Sequence, residues 1–131
     1  MTHRIFIVAH APLAQALKAC AMHVYPECDA DVLALDVQAN DPPEQSLAAA
    51  RALWQGVDDS DVLVLTDVLG ATPANVAQLW AREHKAKIVA GVNLPMLLRS
   101  VCYRHEPMEA LLQKAMTGGA LGVVEIPTPL S

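Results

Sequence analysis

The chain of 131 residues is 53% hydrophobic and 18% charged, a composition that buries a core without disulfides or a structural metal and excludes a disordered chain. Its formal charge of -5, its scattered basic residues (Arg82, Lys85, Lys87, Arg99, Arg104) and its 4% aromatic content exclude a basic, ring-lined nucleic-acid surface. No apolar run approaches the roughly 20 residues of a membrane span and the N-terminus lacks a leader pattern, so the expectation is one cytoplasmic domain over residues 1–131 without direct membrane insertion.

In chain order, residues 4–9 (RIFIVA) form an apolar strand that stops on His10. A helix follows at once, with Leu13, Leu17, Cys20 and Val24 at helical spacing. Cys20, His23 and Cys28 are close in sequence, but without a fourth ligand at finger-like spacing they are read as ordinary side chains and no metal is expected. Two of the three cysteines are expected to be small buried hydrophobes, and their odd number fits a reducing compartment. Residues 31–37 (DVLALDV) form the second strand, and after the turn-rich 38–46 a second helix carries Leu47, Ala50, Trp54 and Val57. Residues 61–67 (DVLVLTD) form the third strand. A third helix then opens with Thr72 as N-cap and Pro73 as first helical residue, and carries Val76, Leu79 and Trp80.

A fourth strand, 87–92 (KIVAGV), leads to a helix with Leu94, Leu97, Leu98 and Val101, and a last helix carries Met108, Leu111, Leu112 and Ala115. Residues 121–126 (LGVVEI) read as a fifth strand, and the tail 127–131 is expected to fray. Pro12, Pro43, Pro73, Pro95 and Pro107 each stand where a first helical turn begins, which supports these starts. His3, His84 and His105 fall at element ends or on polar faces and are expected to be solvated.

Strand and helix in alternation specify an α/β fold: an open, doubly wound, mostly parallel sheet of order 2-1-3-4 with helices on both faces. In such sheets ligands bind beyond the carboxyl ends of the strands. With strands one and three adjacent, His10 and Asp67 share that rim. Imidazole is a nucleophile that is neutral at cellular pH, and a carboxylate on one ring nitrogen fixes the tautomer and balances the charge that develops when the other attacks phosphorus. The helices opening at Thr72 and at Pro12 present free backbone amides that suit phosphoryl oxygens. Taken singly, each of His10 and Asp67 is more often a structural residue at the end of a strand; the pair at two matching strand ends carries the chemistry.

Other α/β families fail at these loops. The stretch AHAPLAQA has no glycine, which excludes a dinucleotide-binding G-x-G-x-x-G, and it lacks the Ser, Thr and Gly of a flavodoxin-like phosphate loop. Receiver domains need acidic Mg²⁺ ligands after strand one, where His10 stands. Histidine phosphatases place Arg directly before the nucleophile, where this chain has Ala9.

Three stretches, IFIVAHAPLAQAL, VLVLTDVLGATPANVA and VAGVNLPMLL, together resemble the mannose-type enzyme IIA domains of the bacterial phosphoenolpyruvate-dependent sugar phosphotransferase system. The resemblance implies that His10 is phosphorylated, that Asp67 is its hydrogen-bonded partner, that Gly70, Ala71, Thr72 and Asn75 shape the phosphate pocket, and that Asn93, Leu94 and Pro95 form its neighbouring wall. It implies phospho-HPr as donor, a histidine on a IIB domain or protein as acceptor, no cofactor, and a homodimer in which 121–126 crosses to the partner's sheet. From the residues alone, Asn93 reads equally as a helix cap. The chain departs from the family by having Ala11 after the histidine and Gly70-Ala71 where two small residues such as Gly-Gly are usual; a positive φ at either alanine would cost about 1 kcal/mol. The second reading of the same residues is a regulatory module whose partners change with phosphorylation of His10, without a part in sugar transport.

Overall fold

The computed structural model describes residues 2–57 and 61–129. Four strands, β1 (Arg4–His10), β2 (Val32–Val37), β3 (Val62–Thr66) and β4 (Ala86–Ala90), pair in parallel in the order β2-β1-β3-β4. The register sets Val8 against Thr66 and His10 against Val37. Every residue from Val62 to Thr66 is buried, the pattern of a central parallel strand covered on both faces, and its near-continuous Val/Leu run is the composition such a strand needs.

Side-chain alternation divides the interior in two. Ile5, Ile7, Ala9, Leu63 and Leu65 face helices α1 (Leu13–Val24), α4 (Leu94–Cys102) and α5 (Met108–Leu121), whose Leu17, Leu97, Val101 and Leu111 complete that layer. Phe6, Val8, Val62 and Val64 face α2 (Pro43–Trp54) and α3 (Thr72–Ala81). There Phe6 packs edge-on against Trp54 and Trp80, with ring centroids 5.4 and 4.9 Å apart. The five prolines stand within or directly before the first turns of the five α-helices, where a missing N–H costs nothing.

The chain departs from its sequence reading in four places. Within the single chain residues 121–126 form no strand: Leu121 ends α5, and 123–128 carry no regular secondary structure, while the expected exchange would pair this segment with a second copy. Of the cysteines only Cys28 is buried, because it sits in a short 3-10 helix (Pro26–Asp31) pressed against the sheet, whereas Cys20 and Cys102 are exposed. His3 is 5% exposed, since its backbone N–H donates to Arg104 O and its Nδ1 to Asp61 O. His84 is half-buried and lies flat on Trp80, 3.9 Å between centroids. Leu130 and Ser131, the end of the tail expected to fray, lie outside the described residues.

Candidate active site

Parallel pairing of β1 and β3 brings the ends of both strands to one rim, and the first residues beyond the pairing meet there. His10 Nδ1 lies 2.6 Å from Asp67 Oδ2, and the same oxygen accepts the backbone N–H of His10 at 3.0 Å. Asp67 Oδ1 accepts the N–H of Val68 at 3.0 Å. The carboxylate is therefore held by three donors and its side chain is only 9% exposed, while the imidazole is 50% exposed. Burial by itself would push the Asp67 carboxyl up; the His10 amide, the His10 ring and the Val68 amide outweigh it and hold the group below the usual aspartate value. A ring nitrogen this close to a carboxylate oxygen is the one that carries the proton, which leaves the lone pair of the neutral ring on Nε2.

The backbone of Asp67 is anchored as firmly as its side chain. Gly91 N–H donates to Asp67 O and Val92 N–H to Thr66 O, both at 3.0 Å, which extends the β3–β4 pairing past the strand ends. Gly91 has φ +88°, a left-handed conformation that glycine adopts without cost. Next to the site, α3 has no side-chain cap: its N-cap is Ala71, in extended conformation at φ -85°, and Thr72 is the first helical residue rather than the cap. No side chain caps the first turn, so with Pro73 lacking an N–H and Asn75 N–H given to Ala71 O, the amides of Thr72 and Ala74 are the ones a helix start of this kind can offer an anion. The opening of α1 does not serve the same purpose, because Asp36 Oδ1 accepts the Gln15 N–H at 3.1 Å and puts a negative charge there.

The remaining predicted residues separate. Gly70, φ +88°, makes the turn that leads into α3, and Asn75 is exposed on the first turns of that helix. Neither Ala11 nor Ala71 adopts a positive φ, so the departure from glycine costs no backbone strain. Asn93 is a cap and a tie: its Oδ1 accepts Met96 N–H at 2.9 Å and its Nδ2 donates to Gly119 O at 3.1 Å. Leu94 is half-buried and Pro95 exposed, with Pro95 against Gly122. Asn93 and Pro95 bear on the α4–α5 seam and Leu94 packs against the core, while the tie to Asp67 in this loop is made by backbone, through Gly91. Sequence reasoning did not find Asp36; its place at the end of β2, in register with Ala9, was the available signal.

Among the described residues no group of three His, Cys, Asp or Glu side chains is arranged to hold a metal, and no helix is long and apolar enough to cross a membrane.

The model of a protein family described as EIIA-man, PTS system fructose IIA component, matches residues 4–116. A PTS system fructose-specific EIIA component from Bacillus subtilis is 38% identical over 71 residues, which cover 51% of this chain and 49% of that protein, so the match spans about half of the relative's length. Among solved structures, the EIIA component of the phosphotransferase system from Streptococcus agalactiae superposes with TM-score 0.82 at 28% identity, covering 93% of this chain and 95% of that one. The mannose/sorbose specific IIA subunit from Enterococcus faecalis superposes with TM-score 0.87 at 25% identity, covering 98% of both.

Proposed function

Because the chain belongs to the EIIA-man family of phosphotransferase-system IIA components, we propose that it is a single phosphotransfer domain that accepts a phosphoryl group from phospho-HPr on His10 and passes it to a histidine of a IIB protein for sugar uptake. The observation that carries this reading is the contact of His10 Nδ1 with Asp67 Oδ2 at 2.6 Å on a ring that remains half exposed. The lone pair of Nε2 attacks phosphorus in line. The P–N bond to the donor imidazole breaks as the new one forms, and its electron pair returns to the donor ring. His10 then carries the phosphoryl group on Nε2 and the proton on Nδ1, and Asp67 balances the positive ring. The α3 amides and the Thr72 hydroxyl receive phosphoryl oxygens. The donor is already activated, so the reading invokes position and oriented dipoles and no cofactor or metal. Gly70, Ala71 and Asn75 shape the near side of this pocket and the Asn93–Pro95 turn its neighbouring wall. The setting is cytoplasmic, and the working form is a homodimer.

Incubation with phosphoenolpyruvate, enzyme I and HPr, read by intact mass, tests it. One phosphoryl group is expected, labile to acid, stable to alkali, absent in His10→Ala and removed on adding a IIB protein. No mass gain in the native chain, or labelling of His10→Ala, overturns the assignment.

A further inference from the structure

The loop after β3 exposes two apolar side chains directly beside the candidate carboxylate: Val68 is 56% and Leu69 81% exposed. Their exposure is built in. Ala71 N–H donates to Val68 O at 3.3 Å and Gly70 has φ +88°, the geometry of a type II turn with Leu69 at its second position, at the tip. Turn tips ordinarily carry polar residues or proline, and a leucine there adds nothing to the core. The base of the turn is also fixed to the site, since Val68 N–H occupies Asp67 Oδ1 while His10 occupies Oδ2. One carboxylate thus sets the nucleophile and the leucine tip in a single frame.

The charges nearby are one-sided. The segments at the carboxyl ends of the strands, 10–12, 38–42, 67–71 and 91–93, contain no Lys or Arg but contain Asp41 and Asp67, with Asp36 next to the end of β2. Lys85 and Lys87 stand at the start of β4, at the other end of the sheet. Leu13, the first residue of α1, adds a further 37% exposed apolar side chain just after His10. The rim is apolar and acidic.

The geometry points to Leu69 as the anchor by which this chain docks its phosphoryl-donor protein, one that presents an apolar patch and basic side chains around its own phosphohistidine. The inference rests on the relay reading of His10: in-line transfer between two imidazoles presses the surfaces around both rings together, so an apolar tip exposed beside one of them in the single chain is covered in the complex. Central apolar residues of this kind dominate interface energetics, whereas the charged rim sets encounter rate and salt dependence.

Leu69→Ser, at an 81% exposed position, is compared with the native chain and with Leu69→Met using two donors, phospho-HPr and the small molecule phosphoramidate. With phospho-HPr, KM is expected to rise about tenfold or more in Leu69→Ser at nearly unchanged kcat, to be restored in Leu69→Met, and to rise with ionic strength in the native chain. With phosphoramidate, which needs no docking surface, the rates of all three should agree within about twofold. An unchanged KM in Leu69→Ser, or an equal loss with phosphoramidate, overturns the docking role while leaving the relay intact. Failure of both donors to label the native chain, or labelling of His10→Ala, overturns the relay reading itself.

Discussion

At the candidate site a single oxygen, Asp67 Oδ2, accepts both the amide and the ring of His10. In Asp67→Asn the amide oxygen can still accept both hydrogen bonds, yet it cannot balance an imidazolium, so the variant should fold and take up phosphate about 10²-fold more slowly or worse, measured as initial labelling rate from phospho-HPr. Labelling at the native rate would remove Asp67 from the chemistry. The carboxyl also links stability to pH. Its folded value lies below its unfolded value, so the contribution is complete above the ordinary aspartate range near about pH 4 and is lost as pH falls through the depressed folded value. The stability gap between the native chain and Asp67→Asn should therefore be flat from neutral to about pH 5 and narrow below, as urea titrations at a series of pH values would show. The neighbouring Thr66 gives the opposite sign. Its hydroxyl is wholly buried at the end of β3 with no hydrogen-bond partner among the described residues. Thr66→Val keeps the shape and removes the orphan, and should raise stability by about 1 kcal/mol and with it Tm. His10 and Asp67 were legible because each ends an apolar strand, a position that pattern alone specifies. The two-sided engagement of Asn93 and the burial of His3 were not, since both depend on partners 26 residues away or more, Gly119 for Asn93 and Asp61 for His3.

Among the elements, four strands and five helices could be read from β-branched runs, helical spacing and the prolines that open each helix, whereas the end of the last helix could not, because packing there overrides local preference. Gly118 and Gly119 are poor helix formers, and 121–126 reads as a strand. Yet α5 continues through both glycines, because α4 lies too close to admit a side chain: a Cβ on Gly118 would sit 2.7 Å from Arg99 Cδ, and one on Gly119 2.7 Å from Met96 Cε. These glycines are spacers in a helix–helix seam, at positions where each forfeits roughly 1 kcal/mol of helix propensity. The tightest point is Gly122, where a Cβ would approach Pro95 Cβ to 2.4 Å. Its φ of -73° admits any residue, so the penalty of a substitution there is purely steric. The proline ring cannot swing aside. Gly122→Ala is expected to cost about 1–3 kcal/mol in urea unfolding by forcing α4 and α5 apart. Because the same seam carries the Asn93 tie to Gly119, the variant should also slow labelling of His10 if the Asn93–Pro95 wall bears on the pocket. A stability loss without any change in labelling would confine those residues to a structural role.

Taken as a whole, the molecule has two unlike ends and an unfinished edge. All candidate chemistry lies at the carboxyl end of the sheet, and β4 is an edge strand. Beyond α5 the chain runs on with Val123 77%, Val124 69% and Ile126 79% exposed, a β-branched run with one charge, Glu125, to keep it soluble. An exposed apolar segment and an open parallel edge are both liabilities in an isolated chain, and natural sheets dispose of them by pairing or covering. Pairing this segment with the sheet of a second copy answers both at once and gives a closed twofold assembly in which the exchange is mutual. On this reading the full chain sediments as a dimer at micromolar concentration, and a chain truncated after Gly122 sediments as a monomer with its four-stranded sheet retained, as judged by far-UV circular dichroism. The truncated chain should still be phosphorylated on His10, because no residue of the site lies beyond Pro95. Equal monomeric masses for the two chains would refute the exchange; a dimer that survives truncation would move the interface to another face of the molecule.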